Sequence, residues 1–217
     1  MTVTIDVDLR DRLDVARDQG PRPTCVVFAV TAAHEFNRTA NEYLSTEFLF
    51  YNGAHRTHRD PKQGLTRHAV RDALLHDGQP AEAEWPYAAH TPDASTWKPP
   101  RLPQQTHKAT IDFGLRTVAE VRTVVAGGQP VLLVVENTLA MYSPDHHGVV
   151  RVRAGDRATG RHALLAVGSG HADDGQYLLV RNSWGKTWGH AGHGWLHDSY
   201  LAQQLEVTGT ITDGSTE

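Results

Sequence analysis

Cysteine is nearly absent. Cys25 is the only one in 217 residues, so the chain can close no disulfide within itself, which fits a reducing compartment. Long apolar runs are missing too: no stretch reaches the eighteen or more residues that a membrane-spanning helix needs. The opening segment, MTVTIDVDLRDRLDV, carries acidic residues early and no apolar core of a secretory signal. A soluble, cytoplasmic protein is expected. No block of Lys or Arg stands out and the formal net charge is −4, so the electrostatic footprint of a nucleic-acid binder is lacking. Neither nucleic acid nor a membrane is expected as a partner, and the sequence leaves the oligomeric state open. There is no internal repeat and no long low-complexity tail.

What is present suits a globular chain. Apolar residues make up 39%, an ordinary share, and at this length roughly 70% of the unfolded surface can be buried without help from a metal or cross-link. TVTIDVDL alternates as a strand does. DQGPRPT is turn chemistry, and from Cys25 onward Val26, Phe28, Ala29, Ala32, Ala33 and Phe36 form a helical apolar stripe, with Thr24 in the N-cap place. STEFLFYNG reads as a second helix, capped by Ser45 or Thr46 and stopped by Gly53. LTRHAVRDALLHDG reads as a third, with Ala69, Val70, Ala73 and Leu74 inward and Gly78 closing it.

Six of the eleven prolines then fall between Pro80 and Pro103, which marks extended connecting chain or the seam between two lobes. Beyond it, TVAEVRTVVAGG is a short helix with a Thr117/Glu120 capping box. HKATIDFGL, PVLLVVEN, GVVRVR, HALLAVGS, QYLLVRN and QLEVTGTIT are strand candidates. Helices first and strands second give an α+β class. A single domain over residues 1–217 is expected, with a helical left lobe over roughly 10–105 and a strand-rich right lobe over roughly 106–217.

The lone thiol has three readings: a small buried hydrophobe, a metal ligand or a nucleophile. Two later stretches bear on the choice. TGRHALLAVGSG puts His162 at the head of an apolar strand, and YLLVRNSWGKTWG puts Asn182 at the end of the next. A cysteine at a helix N-terminus, a histidine and a downstream amide are the parts of an activated thiol. The helix end and an imidazolium both favour thiolate. Histidine can return the proton to a leaving amine, and an asparagine oxygen can hold the ring in one tautomer without adding charge. Gln19, six residues before Cys25, supplies an amide donor that, with the Cys25 backbone N–H, suits an oxyanion.

The motifs DQGPRPTCVVFA, GRHALLAVGSG and RNSWGKTWGHAGHGWL, in that order, with GLTRHAVRDALLHDG and EWPY between them, resemble the papain-like cysteine peptidases over roughly Val7 to Leu201. The resemblance implies a two-lobed fold, a helical left lobe and an antiparallel β-barrel-like right lobe with the active cleft between them. It implies a compact, bacterial-type member without a propeptide, since the chain leaves no room for one, unless the sequence is a trimmed piece. It implies Cys25 as nucleophile, His162 as general acid/base, Asn182 as orienter and Gln19 as oxyanion donor. Trp184 would cover the His162–Asn182 hydrogen bond, and Trp188 would wall the primed side of the substrate cleft. Of the paired glycines that bind substrate backbone, only Gly64 carries over, Gln63 standing in the other place. Arg161 would set a cation beside the cleft and favour acidic groups. A peptide or protein substrate follows, with no cofactor and no metal.

The chain also departs from the family's local signature. That signature has an extra cysteine three residues before the nucleophile, then a glycine, and an aromatic just after it; here those places hold Arg22, Pro23 and Val26. Two other functions stay open on these residues: an acyl transferase, deamidase or ligase using the same thiol, or a catalytically silent peptide-binding domain. Fourteen histidines raise a metal question, but His55/His58 and His146/His147 lack a spaced partner set of zinc type and read as solvated loops.

Overall fold

A computed structural model of the chain describes residues 2–38 and 42–213. It divides into two compact units, one made of Met1–Asp18 and Phe113–Thr210, the other of Gln19–Asp112 and Ile211–Glu217. The expected division near residue 105 therefore shifts: the first eighteen residues go with the strands, because β1 (Thr4–Asp8) pairs antiparallel with β5 (Ala158–Ala172).

The helical unit contains α1 (Cys25–Arg38), α2 (Thr46–Arg56) and α3 (Arg67–His76). Ser45 caps α2 by accepting from the Phe48 N–H at 3.1 Å, and Thr66 does the same for α3 from Ala69 at 3.2 Å. The α3 face is the one expected, with Ala69, Val70, Ala73 and Leu74 buried. On α1, Val27 is fully buried and Val26 only half so. Gly53 does not stop α2, which runs on to Arg56. A Cβ at Gly53 would sit 2.4 Å from Leu65 Cδ1, so this glycine lets the chain before α3 pack close against α2. The proline-rich stretch is not a seam either. It belongs wholly to the helical unit and supplies Trp85, Tyr87 and Trp97 to its packing.

The other unit is built on a sheet in which β8-β3-β5-β6-β7-β4 are neighbours in that order, where β3 is Val131–Thr138, β4 Val149–Val150, β6 Gly175–Arg181, β7 His193–His197 and β8 Leu205–Asp213, and the division between the units falls within β2 (Ala109–Gly114) and near the end of β8. Pairs β3·β5, β5·β6 and β6·β7 are antiparallel, whereas β4 lies parallel to β7. Among the described residues the sheet is open and mixed rather than a closed antiparallel barrel. Closure requires the end strands to pair along a useful length, and β4 at one end offers two residues. The helix α4 (Val118–Ala126) starts with the full Thr117/Glu120 capping box. Strand β7 and the short helix α5 (Asp198–Gln204) were not expected. The short HGWLH strand shows almost no alternation, which hides it from a reading of the sequence.

Candidate active site

In the strand unit, His162 lies inside β5 rather than at its head. The strand begins four residues earlier at Ala158, and burial begins at His162. Asn182 follows directly on β6, and its backbone N–H donates to the Gly192 carbonyl at 2.9 Å. Glycine is required at 192, where φ is +82° and a Cβ would sit 2.3 Å from Ala16. The glycines of the GHAGHGW text thus fold this turn back to hold the asparagine.

The Asn182 side chain has a determined orientation. Its Oδ1 accepts the Ser183 backbone N–H at 2.7 Å, and only oxygen can do so. The same oxygen lies 2.7 Å from His162 Nε2, so Nε2 carries the proton and Nδ1 is the basic nitrogen. Trp184 covers this pair, its ring centroid 4.6 Å from that of His162. Tyr142, which sequence reasoning did not single out, stacks on the Trp184 ring at 4.9 Å and 9°. Trp188 meets Trp184 edge-on at 6.1 Å and donates its indole N–H to the Met141 carbonyl at 2.8 Å. Arg161 is exposed, but its Nε is held by Glu206 Oε2 at 2.6 Å. The cation expected to attract acidic substrate groups therefore already has a carboxylate partner.

Burial pushes His162 down to about 4, and the Asn182 hydrogen bond pulls weakly the other way. His193, on β7, is also pushed to about 4, by burial first and by the Arg181 cation second. Both rings are therefore neutral near pH 7. Between about 4 and the ordinary 6.5 the unfolded chain binds protons that these two native rings refuse, so their contribution to stability falls as pH drops through this window and is constant outside it. A shift of that size is worth up to about 3 kcal/mol per ring, at about 1.36 kcal/mol per pKa unit. Urea midpoints measured at pH 7 and pH 4.5 are expected to differ in this direction, and His193→Gln should remove about half of the difference; equal midpoints would refute the assignment.

In the helical unit, Cys25 is half-buried and is the first residue of α1. The positive end of a fourteen-residue helix therefore starts at this residue. Gln19 is buried, and its Nε2 donates to the Arg22 carbonyl at 2.7 Å. That carbonyl also accepts the Thr24 N–H at 2.8 Å, so the turn from Gln19 to Cys25 is tightly wound. Gly64 packs on the same turn: a Cβ there would lie 3.3 Å from the Pro23 carbonyl oxygen. The Gly64 carbonyl accepts from Arg59 Nη1 at 2.8 Å.

Among the described residues, no three His, Cys, Asp or Glu side chains converge as metal ligands, and no helix is long and apolar enough to cross a membrane. His55 stacks on Tyr51 at 5.6 Å, and the His146 and His147 rings lie 3.9 Å apart.

Comparison with known proteins gives a consistent picture. A family model described as papain family cysteine protease matches residues 3–208. A cathepsin L-like peptidase of Aedes aegypti is 26% identical over 195 residues, covering 88% of this chain and 57% of that protein. Cysteine proteinase 3 of Entamoeba histolytica is 26% identical, covering 86% and 60%. The chain thus spans less than two thirds of the length of these relatives. Among solved structures, xylellain, a cysteine protease from Xylella fastidiosa, superposes with a TM-score of 0.79 at 22% identity, covering 96% of this chain and 85% of that one. Bromelain from Ananas comosus, in complex with the E64 inhibitor, superposes with a TM-score of 0.73 at 20% identity, covering 96% and 98%. These structures share the α+β fold described above.

Proposed function

The chain belongs to the papain family of cysteine proteases, and on that premise we propose that it is a cysteine peptidase that cleaves peptide or protein substrates through a thioester acyl-enzyme. The observation that carries the reading is the His162–Asn182 pair. An amide oxygen fixed by the Ser183 N–H holds the proton on Nε2 and leaves Nδ1 as the base, under the Trp184 ring. This is the arrangement a thiol partner requires.

In this reading His162 Nδ1 takes the Cys25 thiol proton, and the thiolate attacks the scissile carbonyl carbon. The carbonyl electrons move to oxygen, where the Cys25 backbone N–H and the Gln19 side-chain amide receive the charge. The oxyanion collapses, the C–N bond breaks, and the imidazolium protonates the departing amine. Water then gives a proton to Nδ1 and its hydroxide attacks the thioester, and the thiol leaves with that proton. Burial keeps the His162 ring neutral at rest, ready to accept the thiol proton, and in this reading a thiolate formed in the reaction favours the imidazolium. Gly64 and Trp188 are assigned to substrate binding. Arg161, already paired with Glu206, is a weaker candidate for that role. The single cysteine supports action in a reducing, cytoplasmic setting.

Labelling tests the activated thiol. Iodoacetamide is expected to modify Cys25 near pH 6 at least about tenfold faster than a free thiol, whose pKa is about 8.5, with the advantage lost in His162→Ala. E64, the inhibitor bound in the bromelain structure, should block turnover of a peptide amide. Wild-type labelling no faster than a free thiol would sink the proposal. If added amines appear in the products in place of water, the same thiol serves acyl transfer instead.

A further inference from the structure

Arg22 stands where the family signature has its extra cysteine, and it is completely buried. A guanidinium is tolerated there when its charge is matched and its terminal nitrogens are bonded. Glu47, on α2 and also fully buried, matches it in a two-pronged pair, Nη1 to Oε2 at 2.6 Å and Nη2 to Oε1 at 3.0 Å. The carboxylate takes two further donors, the Ala88 N–H at 3.1 Å and the Trp97 indole N–H at 2.7 Å, which fills its acceptor sites. Arg22 Nη1 also donates to the Ala88 carbonyl at 2.6 Å. The guanidinium lies against the rings of Tyr87 and Phe50, 4.8 and 5.2 Å from their centroids.

Tyr87 extends this cluster to the chain around Cys25. Its hydroxyl has one proton, and the Gln19 carbonyl, which can only accept, lies 2.8 Å away. The Thr24 hydroxyl, also at 2.8 Å, therefore donates to the Tyr87 oxygen. One phenol ties residue 19 to residue 24, the two ends of the turn that delivers Gln19 and Cys25. From inside the same turn, the Arg22 carbonyl holds the Gln19 amide.

We propose that Arg22, locked by Glu47, and Tyr87 are positioning residues for the oxyanion donors, setting the Gln19 amide and the Cys25 backbone N–H in their mutual geometry. The inference rests on the catalytic reading of Gln19 and Cys25 given above. It accounts for an ion pair at the core of this unit in a place where an apolar filler would suffice for packing alone. Donors aimed at a developing charge act only if they are already aimed before reaction, and small misplacements are costly in rate.

The test is a double-mutant cycle on the full chain, with active sites counted by E64. Tyr87→Phe removes one oxygen and keeps the ring edge-on to Phe28 at 4.8 Å. It is expected to lower kcat for a peptide amide about tenfold, with KM and the iodoacetamide labelling rate of Cys25 unchanged. In a Gln19→Ala background the same change should alter kcat less than about twofold. Arg22→Lys, which keeps the charge but loses the fork, should follow the same pattern. Unchanged kcat in Tyr87→Phe, or an equal loss in both backgrounds, would overturn the inference, because a role in general stability is blind to Gln19. If Gln19→Ala itself leaves kcat intact while Cys25 labels rapidly, the oxyanion assignment fails and this inference fails with it. If Gln19→Ala is impaired and Tyr87→Phe is not, only this inference falls.

Discussion

Cys25→Ser is expected to lower kcat on a peptide amide by on the order of 10⁴–10⁶-fold, the scale on which loss of a nucleophile acts. The two side chains differ by one atom, and Cys25 is half-buried, so the fold tolerates the change. What is lost is acidity. A thiol starts near pKa 8.5, low enough for a helix end and a general base to favour thiolate, whereas a hydroxyl remains protonated under the same influences. His162→Ala should cost a similar factor, and the double variant little more than either, since under the proposed mechanism base and nucleophile act as one unit. Thermal melts and retained binding of an uncleaved peptide would show that both variants are folded. Turnover within about a hundredfold of wild type in Cys25→Ser would remove the thiol from the chemistry.

The second large effect is on stability. Glu47→Leu is expected to cost about 3–5 kcal/mol, because it leaves the Arg22 charge buried without its counter-ion. The Trp97 indole and the Ala88 N–H lose their acceptor in the same step. For a chain of this size that corresponds to a Tm lower by about 6–20 °C, at about 2–4 °C per kcal/mol. Arg22→Met combined with Glu47→Leu should recover much of the loss, since an apolar pair of similar volume is often as stable as the ions it replaces. A single-variant cost below about 1 kcal/mol, the size of an exposed pair, would show that water reaches this cluster. This prediction concerns folding alone, and the catalytic effect of Tyr87→Phe does not depend on it.

Much of the architecture is written locally. The α3 stripe, the Ser45, Thr66 and Thr117 caps and the apolar runs of β3, β5 and β6 each depend on residues three or four places apart or on simple alternation. The same holds for the Asn182 motif, where Ser183 and the glycines that shape the turn are close neighbours in sequence. Where the local signal was weak the expectation failed. The short strand His193–His197 has no clear alternation, and Gly53 suggested a helix stop because its contact with Leu65 is not a local property.

The sequence by itself determined the α+β class, the family resemblance and the identities of Cys25, His162 and Asn182 as residues to watch. Only the tertiary structure decided that Arg22 meets Glu47 across 25 positions and that Tyr87 reaches back 68 positions to Gln19. It alone decided that Arg161 is held by Glu206 and that the sheet stays open. The physical reason is range: caps and periodicity are settled within one or two turns of chain. The partner of a buried charge is settled by whichever distant element the packed core brings up against it.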